Sequence, residues 1–224
     1  MVRSILLDLD GTLYNSQEYN ARIEKEIVGI VAEQMHVARS LAEFRLGKER
    51  KKQGTLTGAL RVLGVERDLF FEALAARVEP AEYLTQDPST NSTLKELKKR
   101  GFKLALVTNN GRTMTRKILD AIGLDSPIFD VTVTSNDCSP KPSSQPFLQA
   151  LSKLNCTPDR AVYVGDRVEA ELLPAQRLGI RTVLLDRGVG IRNDRVGPVI
   201  THLAEILNVV ENVQESDSVT SVSP

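Results

Sequence analysis

The 224-residue chain has no tryptophan, six phenylalanines, four tyrosines, two histidines and two cysteines. Two cysteines, Cys138 and Cys156, are too few for a disulfide framework and lack metal-ligand spacing, so both read as free thiols. His36 and His202 have no partners at useful spacing and read as structural or surface residues. No charge predominates: 29 basic and 29 acidic side chains sum to zero, which leaves no broad electrostatic footprint for nucleic acid or an anionic membrane. No run of about 18 apolar residues occurs, and the N-terminus enters a charged, strand-like segment without a long apolar leader. The expectation is a cytoplasmic protein, monomeric or homodimeric, that binds neither membrane nor nucleic acid. What remains, 41% hydrophobic and 26% charged residues, is the composition of an ordinary folded chain long enough for one domain with an insert.

Five apolar, β-branched runs alternate with amphipathic patterns. The runs cover residues 4–7, 103–107, 131–134, 161–164 and 182–185, and helices are predicted at 92–100, 113–122, 144–154, 169–178 and 203–210. That alternation predicts an α/β fold, a parallel sheet covered by helices on both faces. Right-handed crossovers place the C-terminal ends of its strands along one edge, where such folds keep their chemistry. Residues 15–84 break the rhythm. Ile23, Ile27, Ile30, Val31 and Gln34 mark a long helix, Leu56, Leu60 and Leu63 a second that ends at Gly64, and residues 69–78 a third. This segment reads as an all-helical cap inserted after the first strand, hinged near residues 15–16 and 84–88, with the catalytic core formed by 1–14 and 85–214. Residues 215–224, without usable periodicity, read as a frayed tail.

The first strand delivers Asp8 and Asp10 onto Gly11. Carboxylates at the first and third positions of an extended segment project the same way. Their repulsion asks for a cation between them or a proton on one. Asp8 is the expected nucleophile, able to form an aspartyl-phosphate. Asp10 is the expected general acid and base, protonating the leaving oxygen and then activating water. The second strand ends in Thr108-Asn109-Asn110-Gly111, where a hydroxyl and backbone N–H groups can hold phosphoryl oxygens; the amides also suit helix capping. Lys141, flanked by Pro140 and Pro142, can neutralise nucleophile and phosphoryl charge together. Asp166, at the end of the fourth strand, can complete a magnesium site with the Asp8 side chain and the Asp10 carbonyl. Glu171 can hold a metal-bound water or orient Lys141.

In this order the four pieces resemble the haloacid dehalogenase-like hydrolase superfamily over roughly residues 2–212. The resemblance implies a Rossmann-like sheet of about five strands with a helical cap after the first motif. It implies Mg2+-dependent hydrolysis of small phosphomonoesters, with Asp8 as nucleophile, Asp10 as acid/base, Thr108 as the second-motif hydroxyl, Lys141 as the third-motif lysine and Asp166 as the magnesium aspartate. One position departs from the pattern: where the family usually has a second aspartate five residues after Asp166, this chain has Glu171. Residues 13–14 and the cap helices are similar to pyrimidine 5′-nucleotidases and to phosphoglycolate phosphatases. Nucleoside 5′-monophosphates are therefore the first expected substrates, with phosphoglycolate or sugar phosphates as the alternative; a phosphotransferase or mutase and a non-catalytic scaffold are further readings. Within the basic cluster of residues 45–52, either the whole face is solvated or Arg45 and Lys48 reach the leaving group.

Overall fold

The computed structural model describes residues 1–124, 126–188 and 195–212; the segment 215–224 read as a tail lies outside the described residues. Six parallel strands form one sheet in the order β3-β2-β1-β4-β5-β6. They are β1 (Ser4–Leu7), β2 (Lys103–Val107), β3 (Val131–Val133), β4 (Ala161–Gly165), β5 (Arg181–Leu185) and β6 (Val199–Ile200). The first strand is central, with Ile5 level with Leu104 on one side and Val162 on the other. Alternation then decides the faces. Ile5, Leu7, Leu104, Leu106, Val162 and Val164 join one apolar cluster, and Leu6, Ala105, Val107 and Tyr163 join the other.

Helices α5 (Pro88–Lys99) and α6 (Arg112–Ala121) cover the first face, and α7 (Gln145–Leu154) covers the second. The short edge strand β6 adds a sixth member to the five expected, because two residues are too few to register as an apolar run. The helix expected at 169–178 is broken differently: residues Val168–Leu172 form a π-helical turn, followed by α8 (Leu173–Gln176). Pro174 has no N–H to give to the α-helical ladder, which accounts for the irregular start. That turn carries Glu171 inward, 2% exposed.

The insert after β1 is all-helical, with four helices where three apolar patterns were apparent: α1 (Gln17–Gln34), α2 (Arg39–Gln53), α3 (Leu56–Val62) and α4 (Arg67–Arg77). The additional one, α2, buries only Ala42 and Leu46, too narrow a stripe to stand out in sequence. It stops at Gly54, whose φ of +72° lies in the left-handed region. Ser16 caps α1 by accepting from the Tyr19 N–H, and its hydroxyl donates to the Tyr83 carbonyl at 3.3 Å. The outgoing and returning crossings of the insert are thus stitched side by side. Cap and core meet along α4 and α6. Lys117 donates to the carbonyls of Ala75 and Val78, and Thr113 donates to Glu72. Gly111 allows this approach, since a Cβ there would lie 2.7 Å from the Phe71 Cβ.

Candidate active site

The C-terminal ends of β1, β2 and β4 converge on one group of side chains. Lys141, 1% exposed, donates to Asp8 Oδ1 at 2.6 Å, to the Val107 carbonyl at 2.9 Å, to the Tyr163 hydroxyl at 2.9 Å and to Glu171 Oε1 at 3.0 Å. An ammonium has three protons, so four acceptors at these distances share them. Burial alone would lower its pKa; the charges of Asp8 and Glu171 more than offset this and hold it above the ordinary lysine value. Asn109 fixes the backbone carrying that lysine: its Oδ1 accepts from the Lys141 N–H at 2.8 Å and its Nδ2 donates to the Lys141 carbonyl at 2.9 Å.

Asp8, Asp166 and Glu171 each bring a carboxylate oxygen within 4.8 Å of the others. Asp166 Oδ1 and Glu171 Oε2 are buried without a hydrogen-bond partner. Burial first, and then the charge of Asp8, push Asp166 up to about 7 and Glu171 well above the usual carboxylate range. Unpartnered, desolvated oxygens of hard donors fit a hard divalent cation such as Mg2+. Two glycines leave the room: a Cβ on Gly11 would stand 2.2 Å from Asp166 Oδ2, and one on Gly165 would stand 2.4 Å from Glu171 Oε2. The extra methylene of Glu171, relative to the aspartate of the family pattern, thus folds against a residue without a side chain. Of the two places considered for Glu171, the contact with Lys141 is present through Oε1, and Glu171 also belongs to the acidic cluster.

Asp10 is held apart from that cluster. Its Oδ1 accepts from the Tyr14 hydroxyl and its Oδ2 accepts from Asn110 Nδ2 at 2.7 Å. Burial, followed by the charge of Asp8, raises its pKa, which favours the protonated form a general acid needs. Thr108 is 2% exposed, and its hydroxyl oxygen accepts from the Asn110 N–H at 3.1 Å. The side chains of Asn109 and Asn110 are therefore engaged with Lys141 and Asp10. Of the two backbone amides, that of Asn109 has no partner among the described residues.

Above the site lies a cleft of about 420 Å3. Asp10, Asn109 and Asn110 line it from the core, Arg50, Thr55, Thr57 and Phe71 from the cap, and Arg167 from the end of β4. Neither Arg45 nor Lys48 lines it; both are exposed. Helical geometry explains the difference. Arg50 continues the i, i+4 row of Ala42 and Leu46 that α2 turns inward and is half-buried, whereas 45 and 48 lie off that row and are exposed. Arg50 Nη1 pairs with Glu24 at 2.6 Å and its Nε is buried without a partner. Arg167 bridges core and cap by donating to the Gly54 carbonyl at 3.1 Å.

Sequence reasoning also passed over Tyr14, Tyr163 and Arg187, the last of which clamps the Gly11 and Thr12 carbonyls at 3.1 and 2.7 Å. The available signal for Tyr163 was a phenol inside an otherwise apolar strand; nothing local marks Arg187. His36 and His202 stand outside the acidic cluster, and both cysteines are free. Among the described residues no helix is long and apolar enough to cross a membrane.

A family model described as haloacid dehalogenase-like hydrolase matches residues 2–179. The chain is 28% identical to a glyceraldehyde 3-phosphate phosphatase of Methanocaldococcus jannaschii, over 96% of this chain and all of that protein. It is 32% identical to a phosphoglycolate phosphatase of Aquifex aeolicus, over 82% of this chain and 84% of that one. A solved phosphatase structure from Thermococcus onnurineus has the same fold, with a TM-score of 0.72 at 23% identity over 93% of this chain and 98% of that one. The carboxylate cluster and the aspartate at the end of β1 are the equipment of a metal-dependent phosphomonoesterase. The chain belongs to the haloacid dehalogenase-like hydrolases.

Proposed function

We propose that the protein hydrolyses the phosphate monoester of a small polar metabolite, of glycolate or triose-phosphate size, through an aspartyl-phosphate on Asp8. The Asp8 carboxylate attacks phosphorus and the bond to the leaving oxygen breaks; that oxygen takes the proton from Asp10. Asp10, now ionised, accepts a proton from water as the water attacks phosphorus. The bond to Asp8 then breaks, inorganic phosphate leaves and both residues return to their starting states. Thr108, the Asn109 N–H and Lys141 hold the phosphoryl oxygens and neutralise their charge. Asp8, Asp166 and the Asp10 carbonyl, with Glu171 directly or through a water, would hold the divalent cation, which when bound offsets the negative charge gathered between nucleophile and phosphate.

The observation that carries this reading is the Lys141 ammonium shared between Asp8 and Glu171 beside two unpartnered carboxylate oxygens. It supports phosphoryl transfer for any leaving group, so substrate choice rests on the cleft. Its polar lining is hydroxyls, amides, the carboxyl groups of Asp10 and Glu24 and the guanidiniums of Arg50 and Arg167, and Phe71 is the one ring in it among the described residues. That lining suits hydroxyl, carbonyl or carboxylate groups better than a nucleobase, which favours an aromatic platform. The two relatives above act, by their names, on glyceraldehyde 3-phosphate and phosphoglycolate. The first-placed expectation, nucleoside 5′-monophosphates, has no comparable support. We measure the proposal by kcat/KM with Mg2+ over a panel of phosphoglycolate, glyceraldehyde 3-phosphate, glycerol phosphate, hexose phosphates and nucleoside monophosphates, with borohydride trapping of the intermediate. Preference for the two- and three-carbon esters, with the trap lost in Asp8→Asn, is the expected result. A nucleotide preference overturns the substrate reading, and transfer to an added hydroxyl acceptor instead of water overturns the hydrolase reading.

A further inference from the structure

Three of the four tyrosines gather where the cap leaves and rejoins the core. Tyr14 lies just before the outgoing crossing, Tyr19 in the first turn of α1, and Tyr83 on the return. Tyr14 donates its hydroxyl to Asp10, and a single parallel bridge joins the backbones of the two residues. Its ring, 8% exposed, meets the Tyr19 ring edge-on, with centroids 5.7 Å apart and an interplanar angle of 75°. Tyr19 in turn packs against the Tyr83 ring at 6.3 Å, and its hydroxyl reaches Met114 Sδ on α6 at 3.3 Å. A continuous row of rings therefore runs from the carboxylate to both crossings.

The two donors on Asp10 differ in what holds them. Asn110 lies in the bend after β2, where its carbonyl accepts from the Ser135 N–H and hydroxyl, so its bond to Oδ2 is fixed with the core. Tyr14 stands just before the outgoing crossing, and its ring, packed edge-on against Tyr19 of α1, cannot turn without repacking there. A phenol has only two side-chain torsions, so the position of its hydroxyl follows the position of its ring. Rotation of α1 about the crossing would displace Tyr19, then the Tyr14 ring, and with it the donor that aims one oxygen of Asp10.

We propose that Tyr14 is a positioning residue that couples the aim of the Asp10 carboxylate to the placement of the cap. The inference rests on the phosphatase reading and adds a consequence to it: proton delivery to the leaving oxygen is in register only when the cap sits correctly on the core. Small displacements of an acid from its proton acceptor carry large rate penalties.

The test exploits the leaving group. kcat/KM reports steps up to departure of the alcohol, so an alkyl phosphate such as glycerol phosphate depends on the acid, whereas p-nitrophenyl phosphate, with a good leaving group, depends on it little. The readout is the ratio of kcat/KM for the two esters on one preparation, from which any unfolded fraction cancels. Tyr14→Phe keeps the ring and removes the donor; the alkyl-to-aryl ratio is expected to fall about tenfold, part of the roughly 10²–10⁴ that a full acid role supplies. Tyr19→Leu removes the ring contact and is expected to lower the ratio in the same direction. Tyr19→Phe retains the ring, gives up only the sulfur contact, and is expected to keep the wild-type ratio. An unchanged ratio in Tyr14→Phe overturns the positioning role, and an unchanged ratio in Tyr19→Leu overturns the coupling to the cap. A wild-type protein that hydrolyses neither ester removes the phosphatase reading and this inference with it, an outcome distinct from normal hydrolysis with an insensitive ratio.

Discussion

Replacing Lys141 by methionine keeps most of the side-chain volume and deletes an ammonium that is 1% exposed and bonded to Asp8 at 2.6 Å and Glu171 at 3.0 Å. Two carboxylates then remain buried without that cation, next to Asp166. Removing one member of a buried ion pair typically costs about 3–5 kcal/mol. At about 2–4 °C per kcal/mol for a chain of this size, the melting temperature should fall by about 6–20 °C at pH 8 in the absence of divalent cation. The pH dependence has a definite sign. Burial and the charge of Asp8 already hold Glu171 well above the usual carboxylate range and Asp166 at about 7. Such groups bind protons in the native state at pH values where the unfolded chain has released them, so stability falls as pH rises through the raised values. Without the ammonium this slope steepens, and the gap between variant and wild type should be widest at pH 8 and narrow toward pH 5.5. Mg2+ should raise the melting temperature of Lys141→Met more than that of wild type, because the cluster it enters is more negative. Thermal melts at several pH values, with EDTA and with Mg2+, supply the data. A gap that does not change with pH, or no gap at all at pH 8, would refute the argument that Lys141 serves as the counter-charge of the buried carboxylates.

Gly11→Ala should destabilise the fold by more than about 1 kcal/mol, since φ is +75° there and a Cβ would stand 2.2 Å from Asp166 Oδ2. Calorimetry should also find Mg2+ bound about tenfold or more weakly, because the displaced carboxylate is a proposed ligand; undiminished Mg2+ affinity would remove that constraint from the site. Mg2+ affinity of the wild type should rise as pH passes through about 7, where Asp166 ionises. Binding below that pH should release protons, measured as a dependence of the heat on the buffer's ionisation enthalpy.

The sheet was legible because a parallel strand buried on both faces leaves a continuous apolar run: Ser4–Leu7 is buried at every position, as is Ala161–Gly165. The same rule hides β6, whose two residues pair only with Leu184 and Leu185 and leave Val199 exposed. The cap's α1 announces itself through Ile23, Ile27, Ile30 and Val31, but α2 does not, since most of its surface is solvated and charged. Its basic residues could be grouped from sequence, yet selecting among them required the helix's phase. Two buried anchors four residues apart, Ala42 and Leu46, turn Arg50 toward the cleft and leave Arg45 and Lys48 outside.

At the site, what was readable had short-range cause and what was missed did not. Asp8, Asp10, Thr108, Lys141 and Asp166 each sit at a strand end or a proline-pinned turn, so their convergence follows once the strand order is known. The partners that set their protonation and aim come from elsewhere in the chain. Lys141 and Asp8 are 133 residues apart, Asn110 and Asp10 are 100 apart, and Arg187 reaches back 176 residues to Gly11. Asn109 illustrates the consequence. Its place after β2 suggested a phosphate contact or a helix cap, and only the folded arrangement turns its amide onto the Lys141 backbone. Both amides of the second motif thus act on other catalytic candidates, one fixing the lysine and one the acid. The other oxygen of Asp10 accepts from Tyr14, which lies outside the sheet, just before the chain enters the cap. Chemistry common to the family is therefore built into the sheet edge, while the chain that leads into the cap touches the one group whose protonation must change between leaving-group departure and water attack.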